Sequence, residues 1–162
     1  MALIFSRRSF IATSVSAGVL GTIAHAQDAQ NTVEMFTRHP DDRNLRNVFS
    51  PRLMVVEAGE TVLFKATERG HNSASIDGMI PDGAAPWSGR LNSDIDVSFD
   101  VPGFYGYVCT PHASLGMVGL VVVRGDGMLN NLETARGVRQ RGKAASAFEE
   151  IWAEAEEAGL LS

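Results

Sequence analysis

The chain lacks a second cysteine, because Cys109 is the only one among its 162 residues. No intramolecular disulfide can form, so packing and any bound metal must stabilise the fold. An unpaired thiol in an exported chain needs an explanation. Ligation of a metal within a shielded loop is the interpretation that accounts for it.

The chain is also poor in positive charge and in aromatic residues. It has 14 Lys and Arg against 19 Asp and Glu, and aromatic residues make up 7% of it. Without the leader, which carries Arg7 and Arg8, the formal net charge is −7. No basic run or stripe of Lys and Arg is seen, and nothing supports an aromatic stacking platform, so we expect no nucleic-acid partner.

The one extended apolar run lies in a leader, residues 1–26, and is short for a transmembrane helix. Arg7 and Arg8 precede about 15 apolar residues, and the A-H-A sequence at 24–26 is a small-x-small cleavage motif typical of a signal peptide. The string SRRSFIA resembles a twin-arginine export signal. We therefore predict export to the periplasm, removal of the leader, and no membrane contact afterwards.

The cysteine begins the stretch CTPHASLGM, which places Cys109, His112 and Met117 in a C-x2-H-x4-M spacing. The runs FYGYV before it and VGLVVV after it look like strands, so one short loop brings the three side chains together. Thiolate, imidazole and thioether donors suit copper in both of its oxidation states. His71, 38 residues before the cysteine, is the candidate for a fourth ligand. Two His, one Cys and an axial Met are typical of a blue-copper electron-transfer site.

Other interpretations stay open on the residues alone. Structural zinc sites use four Cys or His ligands and rarely a thioether. A catalytic Cys–His pair would leave Met117 without a role, and a lone Cys is often a buried core residue. Two further residues could be mistaken for ligands. His39 lies beside a proline in a polar loop and Met79 lies in an irregular stretch, so we assign a ligand role to neither.

The sequence resembles the pseudoazurin family of cupredoxins along nearly all of the chain after the leader. The matching motifs are GHN at 70–72, DGMIPDGA at 77–84, PGFYGYVCTPH at 102–112 and GMVG at 116–119. The resemblance implies a type 1 blue copper electron carrier with one copper per chain. It also implies a monomer that exchanges electrons with redox proteins, for example a copper nitrite reductase or cytochromes.

The resemblance implies further roles around the ligands. The backbone N–H of Asn72 would donate to the Cys109 sulfur, and the Asn72 side chain would tie the two ligand loops together. Thr110 and Pro111 would also lie next to the ligands. His112 would be the ligand nearest solvent and therefore the exit for the electron.

Two features depart from the family. Its members usually carry several Lys around the electron exit and meet acidic partners through them, whereas here the only Lys are Lys65 and Lys143. If that mode of docking is retained, Arg must replace Lys, and the candidates are Arg38, Arg43, Arg46 and Arg90. Asn47 also stands where members often have Met.

Other copper functions would need ligands that this chain lacks. A copper nitrite reductase has a second, catalytic copper with its own His ligands, and after the leader only His39 would be left for it. A binuclear electron-transfer copper site needs two bridging Cys. Copper chaperones favour clusters of Met or Cys, whereas the five Met after the leader are scattered. We expect no enzyme, and the alternative is a periplasmic copper-binding or chaperone module without an electron-carrier role.

The strand pattern predicts an all-β fold, namely a cupredoxin-like Greek-key β-sandwich followed by two C-terminal α-helices. Short runs separated by turns indicate seven or eight strands. The clearest runs are at 32–37, 53–57, 61–66, 95–101, 104–110 and 118–123. Helices are expected near 130–136 and at 143–160, the second with an apolar stripe. We assign residues 27–125 to the sandwich and residues 126–162 to a helical extension packed on it.

Overall fold

The computed structural model describes residues 31–162, so the leader lies outside the described residues. Eight strands are followed by two helices. The strands are β1 (Thr32–Arg38), β2 (Arg46–Ser50), β3 (Leu53–Glu57), β4 (Glu60–Lys65), β5 (Ala74–Ser75), β6 (Ile95–Phe99), β7 (Gly103–Val108) and β8 (Val118–Arg124). The helices are α1 (Leu132–Gly137) and α2 (Lys143–Glu157), and 3-10 turns occupy Thr110–Leu115 and Met128–Asn131. No helix within residues 31–162 combines the length and the apolar character needed to cross a membrane.

The strands form two four-stranded sheets, in the orders β2-β1-β4-β6 and β3-β8-β7-β5. The pairs β1–β4 and β3–β8 are parallel, and the other neighbours are antiparallel. Non-consecutive strands are therefore neighbours in both sheets, which is the Greek-key arrangement of a sandwich. The predicted all-β sandwich with two C-terminal helices is confirmed.

The space between the sheets is filled by side chains that alternate along each strand. In β4, Val62 and Phe64 are fully buried, whereas Thr61 and Lys65 are exposed. Rings from both sheets meet there at angles that favour aromatic contact, with the Phe64 and Tyr107 centroids 5.0 Å apart in a T-shaped pair. Cys109 and Met117 belong to the same buried cluster, so the ligand loop is continuous with the inter-sheet core.

A second core lies between β7–β8 and the helices. Every residue from 118 to 123 is buried, because β8 packs against the inter-sheet core on one face and against the helices on the other. The predicted stripe of α2 is buried against it, and the Trp152 ring lies 5.7 Å from that of Phe104. Arg52 forms ion pairs with Glu150 and Glu154 at the edge of this contact.

Some bounds differ from those expected. No strand is predicted between 37 and 53, yet β2 begins at Arg46, because Phe49 fills the core and the segment pairs antiparallel with β1. The strand predicted at 104–110 ends at Val108, since the chain turns into a 3-10 helix at Thr110. The second helix ends at Glu157 instead of residue 160, before a Gly with positive φ.

Candidate metal centre

The loop between β7 and β8 is closed by its own backbone. The amide of Cys109 donates to the carbonyl of Met117 at 3.0 Å, and the amide of Met117 donates to the carbonyl of His112 at 3.2 Å. The amide of His112 donates in turn to the carbonyl of Cys109 at 3.0 Å. Gly116, at φ 88°, ends the 3-10 turn in a conformation that few other residues adopt. These bonds hold the three predicted donors of the loop at one end of the sandwich.

His71 comes from a second loop, which follows β4. Gly70, at φ +97°, precedes His71, and the amide of Gly70 donates to the Asn92 side-chain oxygen. The amide of Asn92 donates to the carbonyl of His71 at 2.8 Å. The imidazole of His71 is fully buried as a result.

The two loops bring three of the four predicted donors together. Nδ1 of His71 lies 3.7 Å from Sγ of Cys109 and 3.1 Å from Nδ1 of His112. Sγ of Cys109 lies 3.4 Å from Nδ1 of His112. Donors bound to one ion at 2.0–2.3 Å lie less than about 4.6 Å apart, and all three separations meet that limit. The site therefore fits one metal ion held by two imidazoles and one thiolate.

Met117, the fourth predicted donor, lies at the end of the same loop, just before β8. Its side chain is fully buried in the cluster that contains Cys109, and its backbone is bonded to Cys109 and His112 as described above. The two residues set aside as ligands lie elsewhere. His39 is half-buried at the end of β1, with Nε2 3.1 Å from the Ser50 hydroxyl. Met79 lies in the core beneath the helices.

Burial controls the protonation of the site. It raises the pKa of the Cys109 thiol, an effect that the nearby backbone N–H groups of Asn72 and His112 partly offset. Burial, and after it the neighbouring His112, lowers the pKa of His71. A metal ion that binds here must therefore displace the thiol proton, whereas the imidazole of His71 is already neutral at neutral pH.

Asn72 joins the two ligand loops. Its Oδ1 accepts from the backbone N–H of Thr110 at 2.9 Å, and its Nδ2 donates to the Thr110 hydroxyl at 3.1 Å and to the carbonyl of Gly89 at 3.1 Å. The Asn72 residue is 7% exposed, so its side chain is largely shielded from water. One buried amide thus braces the cysteine loop, the histidine loop and the loop after Trp87.

The least buried of the clustered donors is His112. His112 is half-buried, in contrast to the fully buried His71 and Cys109. Pro111 is exposed beside it, and Leu115 is 47% exposed. His112 is thus the ligand candidate nearest the surface, at the centre of a small apolar area.

Two surroundings of the site were missed from the sequence. The Thr37 hydroxyl lies 2.9 Å from Nε2 of His71. The segment 136–143, which carries four basic residues, runs beside the cysteine loop: Arg139 and Arg141 line a surface cavity together with Ala113 and Ser114. Its basic residues are separated by Gly, Val and Gln, so they do not form a continuous basic run in the sequence. The only available signal was that RGVRQRGK contains no acidic residue.

Comparisons with known proteins point to one group. A profile of the family described as copper binding proteins, plastocyanin/azurin family, matches residues 39–124. A pseudoazurin of Methylorubrum extorquens is 37% identical over 132 residues, which cover 82% of this chain and 86% of that protein. A solved pseudoazurin from Sinorhizobium meliloti superposes with a TM-score of 0.71 at 40% identity and covers 77% of this chain and 94% of the other. The solved pseudoazurin from Hyphomicrobium denitrificans superposes with a TM-score of 0.69 at 31% identity and covers 76% of this chain and 96% of the other.

Proposed function

The chain belongs to the pseudoazurins, within the plastocyanin/azurin family of copper-binding proteins, and we propose that His71, Cys109, His112 and Met117 hold its copper. Pseudoazurins are blue copper electron carriers and not enzymes, so this protein carries electrons and turns over no substrate. One observation supports the ligand assignment above all others. The donor atoms of His71, Cys109 and His112 lie within 4.8 Å of one another, at one end of the sandwich.

The role of the protein is to keep the metal donors in a fixed arrangement. Bound copper supplies a one-electron couple between its cupric and cuprous states. The backbone bonds across the loop of Cys109 and the side chain of Asn72 keep the donors in place whichever state is present. Little rearrangement then accompanies electron transfer. His112 is the route of the electron to a partner, because it alone of the three clustered donors reaches the surface.

The visible spectrum of the copper-loaded, oxidised protein tests this function. Charge transfer from the Cys109 thiolate should make the wild type intensely blue or green, and Cys109→Ser should abolish the colour. His39→Gln is the matched control, because it removes an imidazole that does not approach the donors, and it should keep the colour. A colourless copper-loaded wild type would refute the assignment.

A copper chaperone is the competing function. Its binding site must release the metal to an acceptor, whereas here His71 and Cys109 are fully buried and the loops that carry the donors are braced by the hydrogen bonds of Asn72. Incubation of the loaded protein with a cuprous chelator of known affinity separates the two. We expect copper to be retained in both oxidation states while electrons exchange rapidly with a redox dye.

The location and the partners follow from the leader and from the charge beside His112. We propose that residues 1–26 direct the chain to the periplasm, where residues 27–125 form the copper-binding sandwich and 126–162 its helical extension. The redox partner we infer is an acidic surface of a respiratory protein, such as a copper nitrite reductase or a cytochrome, met by a monomer.

The docking surface that supports this partner is the segment 136–143, here called the basic segment. It carries Arg136, Arg139, Arg141 and Lys143. It touches the cysteine loop directly, since a Cβ on Gly116 would lie 3.1 Å from the carbonyl oxygen of Lys143. Charge opposite to that of the partner, placed near the electron exit, raises the rate of encounter. The proposed docking surface therefore comprises this segment and the four arginines predicted from the sequence, all four of which are exposed.

A further inference from the structure

His71 differs from the other candidate imidazole ligand in what its outer nitrogen contacts. Nδ1 faces the Cys109 sulfur, so a neutral ring that offers this nitrogen to copper carries its proton on Nε2. That Nε2 lies 2.9 Å from the hydroxyl oxygen of Thr37. Among the described residues, Nε2 of His112 has no hydrogen-bond partner. Only one of the two imidazoles is therefore connected to a further polar group of the protein.

The connection continues from Thr37 to Glu68. Nε2–H of His71 donates to the Thr37 hydroxyl, which leaves the hydroxyl proton free to donate onward. The Glu68 carboxylate is the acceptor within reach, since its Oε2 accepts the backbone N–H of the same residue, Thr37, and, at 3.2 Å, that of Arg38. These three residues form a carboxylate–hydroxyl–imidazole relay that ends at a copper ligand.

The fold explains why the relay exists. β1 and β4 run parallel, so both end at the same edge of their sheet. Thr37 lies at the end of β1, and Glu68 follows β4 on the way to His71. The amide of Glu68 donates to the carbonyl of Met35 at 3.1 Å, which anchors the carboxylate beside the strand end. The backbone bonds that hold this carboxylate also keep it ionised, since they lower the pKa of Glu68.

We propose that Thr37 and Glu68 are positioning residues that strengthen the His71 imidazole as a donor and so lower the reduction potential of the copper site. The inference rests on the proposed function, since it presumes that His71 binds copper. A negative charge relayed to Nε2 favours the cupric state, which carries the greater positive charge. A carboxylate that orients a ligand histidine in this way is worth about 10–100-fold in metal affinity.

Substitution of each relay residue tests the proposal. Thr37→Val keeps the shape and removes the hydroxyl, Thr37→Ser restores the hydroxyl, and Glu68→Gln removes the charge. We expect Thr37→Val and Glu68→Gln to weaken cupric binding about tenfold relative to cuprous binding, which is a rise in potential of about 59 mV. Thr37→Ser should return the potential to the wild-type value, and all variants should keep their colour because the ligands are intact.

The chain offers a matched control. Thr67 donates to Glu34 at 3.1 Å on the same sheet, and neither residue touches a donor. Thr67→Val and Glu34→Gln should leave the potential unchanged. Melting temperatures of all variants identify any loss of folding, and Glu68→Gln keeps the test valid if Thr37→Val is unstable.

A second measurement distinguishes a failure of the relay from a failure of the proposed function. In the metal-free protein, the proton on Nε2 of His71 can be observed directly by nitrogen-15 NMR. We expect it to exchange with water at least about tenfold faster in Thr37→Val than in the wild type, because an opened hydrogen bond exposes the proton. If the wild type binds no copper but shows this protected proton, the copper function is wrong and the relay stands. If coloured variants show neither a change of potential nor faster exchange, the relay is wrong and the copper function stands.

Discussion

Asn72 and Thr110 exchange two hydrogen bonds across 38 residues of sequence, one from the Thr110 amide at 2.9 Å and one to the Thr110 hydroxyl at 3.1 Å. They are the direct link between the loop that holds His71 and the loop that holds Cys109. The geometry of the site therefore depends on a residue that offers no donor to the metal.

Removal of the Asn72 side chain should destabilise the protein more than any exposed substitution. Asn72→Ala removes three hydrogen bonds of a residue that is 7% exposed, and each contributes about 0.5–1.5 kcal/mol to the free energy of unfolding. Urea unfolding of the metal-free protein measures this loss in the free energy of unfolding. Thr110→Val removes only the hydroxyl and should cost less, so an Asn72→Ala variant as stable as Thr110→Val would contradict the bracing role.

Met117→Leu should leave a coloured site, because the two imidazoles and the thiolate remain. The potential should rise, since a weak thioether donor that stabilises the cupric state is lost. Cyclic voltammetry measures this change. Met79→Leu is the control, because that thioether is equally buried but lies beneath the helices. Loss of copper binding in Met117→Leu, or a potential that moves only in Met79→Leu, would show that the axial role is misassigned.

The stability of the fold should depend on the ionisation of Glu68. Backbone N–H donation from Thr37 is the largest cause that lowers its pKa below the ordinary value of 4.5. The stabilisation contributed by the ionised Glu68 carboxylate is therefore fully present above pH 4.5 and is lost as pH falls through the lower pKa of the folded state. Glu68→Gln should be less stable than the wild type near pH ~6, and the difference should shrink below pH ~4. Glu156→Gln, on an exposed part of α2, is the control for the loss of one carboxylate.

The attachment of α2 should depend on its apolar face more than on its ion pairs. Trp152 is 8% exposed, and Trp152→Ala should cost about 3–5 kcal/mol. The carboxylates of Glu150 and Glu154 are 64% and 41% exposed, so each pair with Arg52 contributes about 0–1 kcal/mol. Thermal unfolding of Arg52→Ala and Trp152→Ala in the same buffer compares the stability lost with the ion pairs and with the apolar contact. Equal losses would mean that the ion pairs matter more than their exposure indicates.

The rate of electron transfer to an acidic acceptor should fall as salt is added, because the Debye length shortens to about 8 Å at physiological ionic strength. Arg141→Glu and Arg90→Glu should slow it further. Arg124→Glu makes the same change of charge at the end of β8, about 20 Å along the strand from the cysteine loop, and should have a smaller effect. Stopped-flow rates across a salt series measure this. A rate that rises with salt would refute the basic segment as docking surface and indicate a basic partner.

Local spacing made much of the fold and the ligand loop predictable. Alternation of apolar and polar residues is a property of a few consecutive positions, so β4 and β6 were predictable without knowledge of their partners. The same holds for the loop from Cys109 to Met117, because two strands that flank nine residues leave their side chains little room to diverge. β2 was missed because it has few apolar residues of its own and depends on pairing with β1.

The sequence by itself determined the types of donor, and therefore the metal and the one-electron chemistry of this protein. It also determined most of the sandwich, since the alternation along strands such as β4 and β6 does not depend on distant contacts. Only the tertiary structure decided what surrounds the donors: Thr37 next to His71, Glu68 next to Thr37, and the basic segment beside the cysteine loop. The reason is physical. Hydrogen bonds and charges act through space, and the parallel pairing of β1 with β4 and the return of the C-terminal helices set those distances.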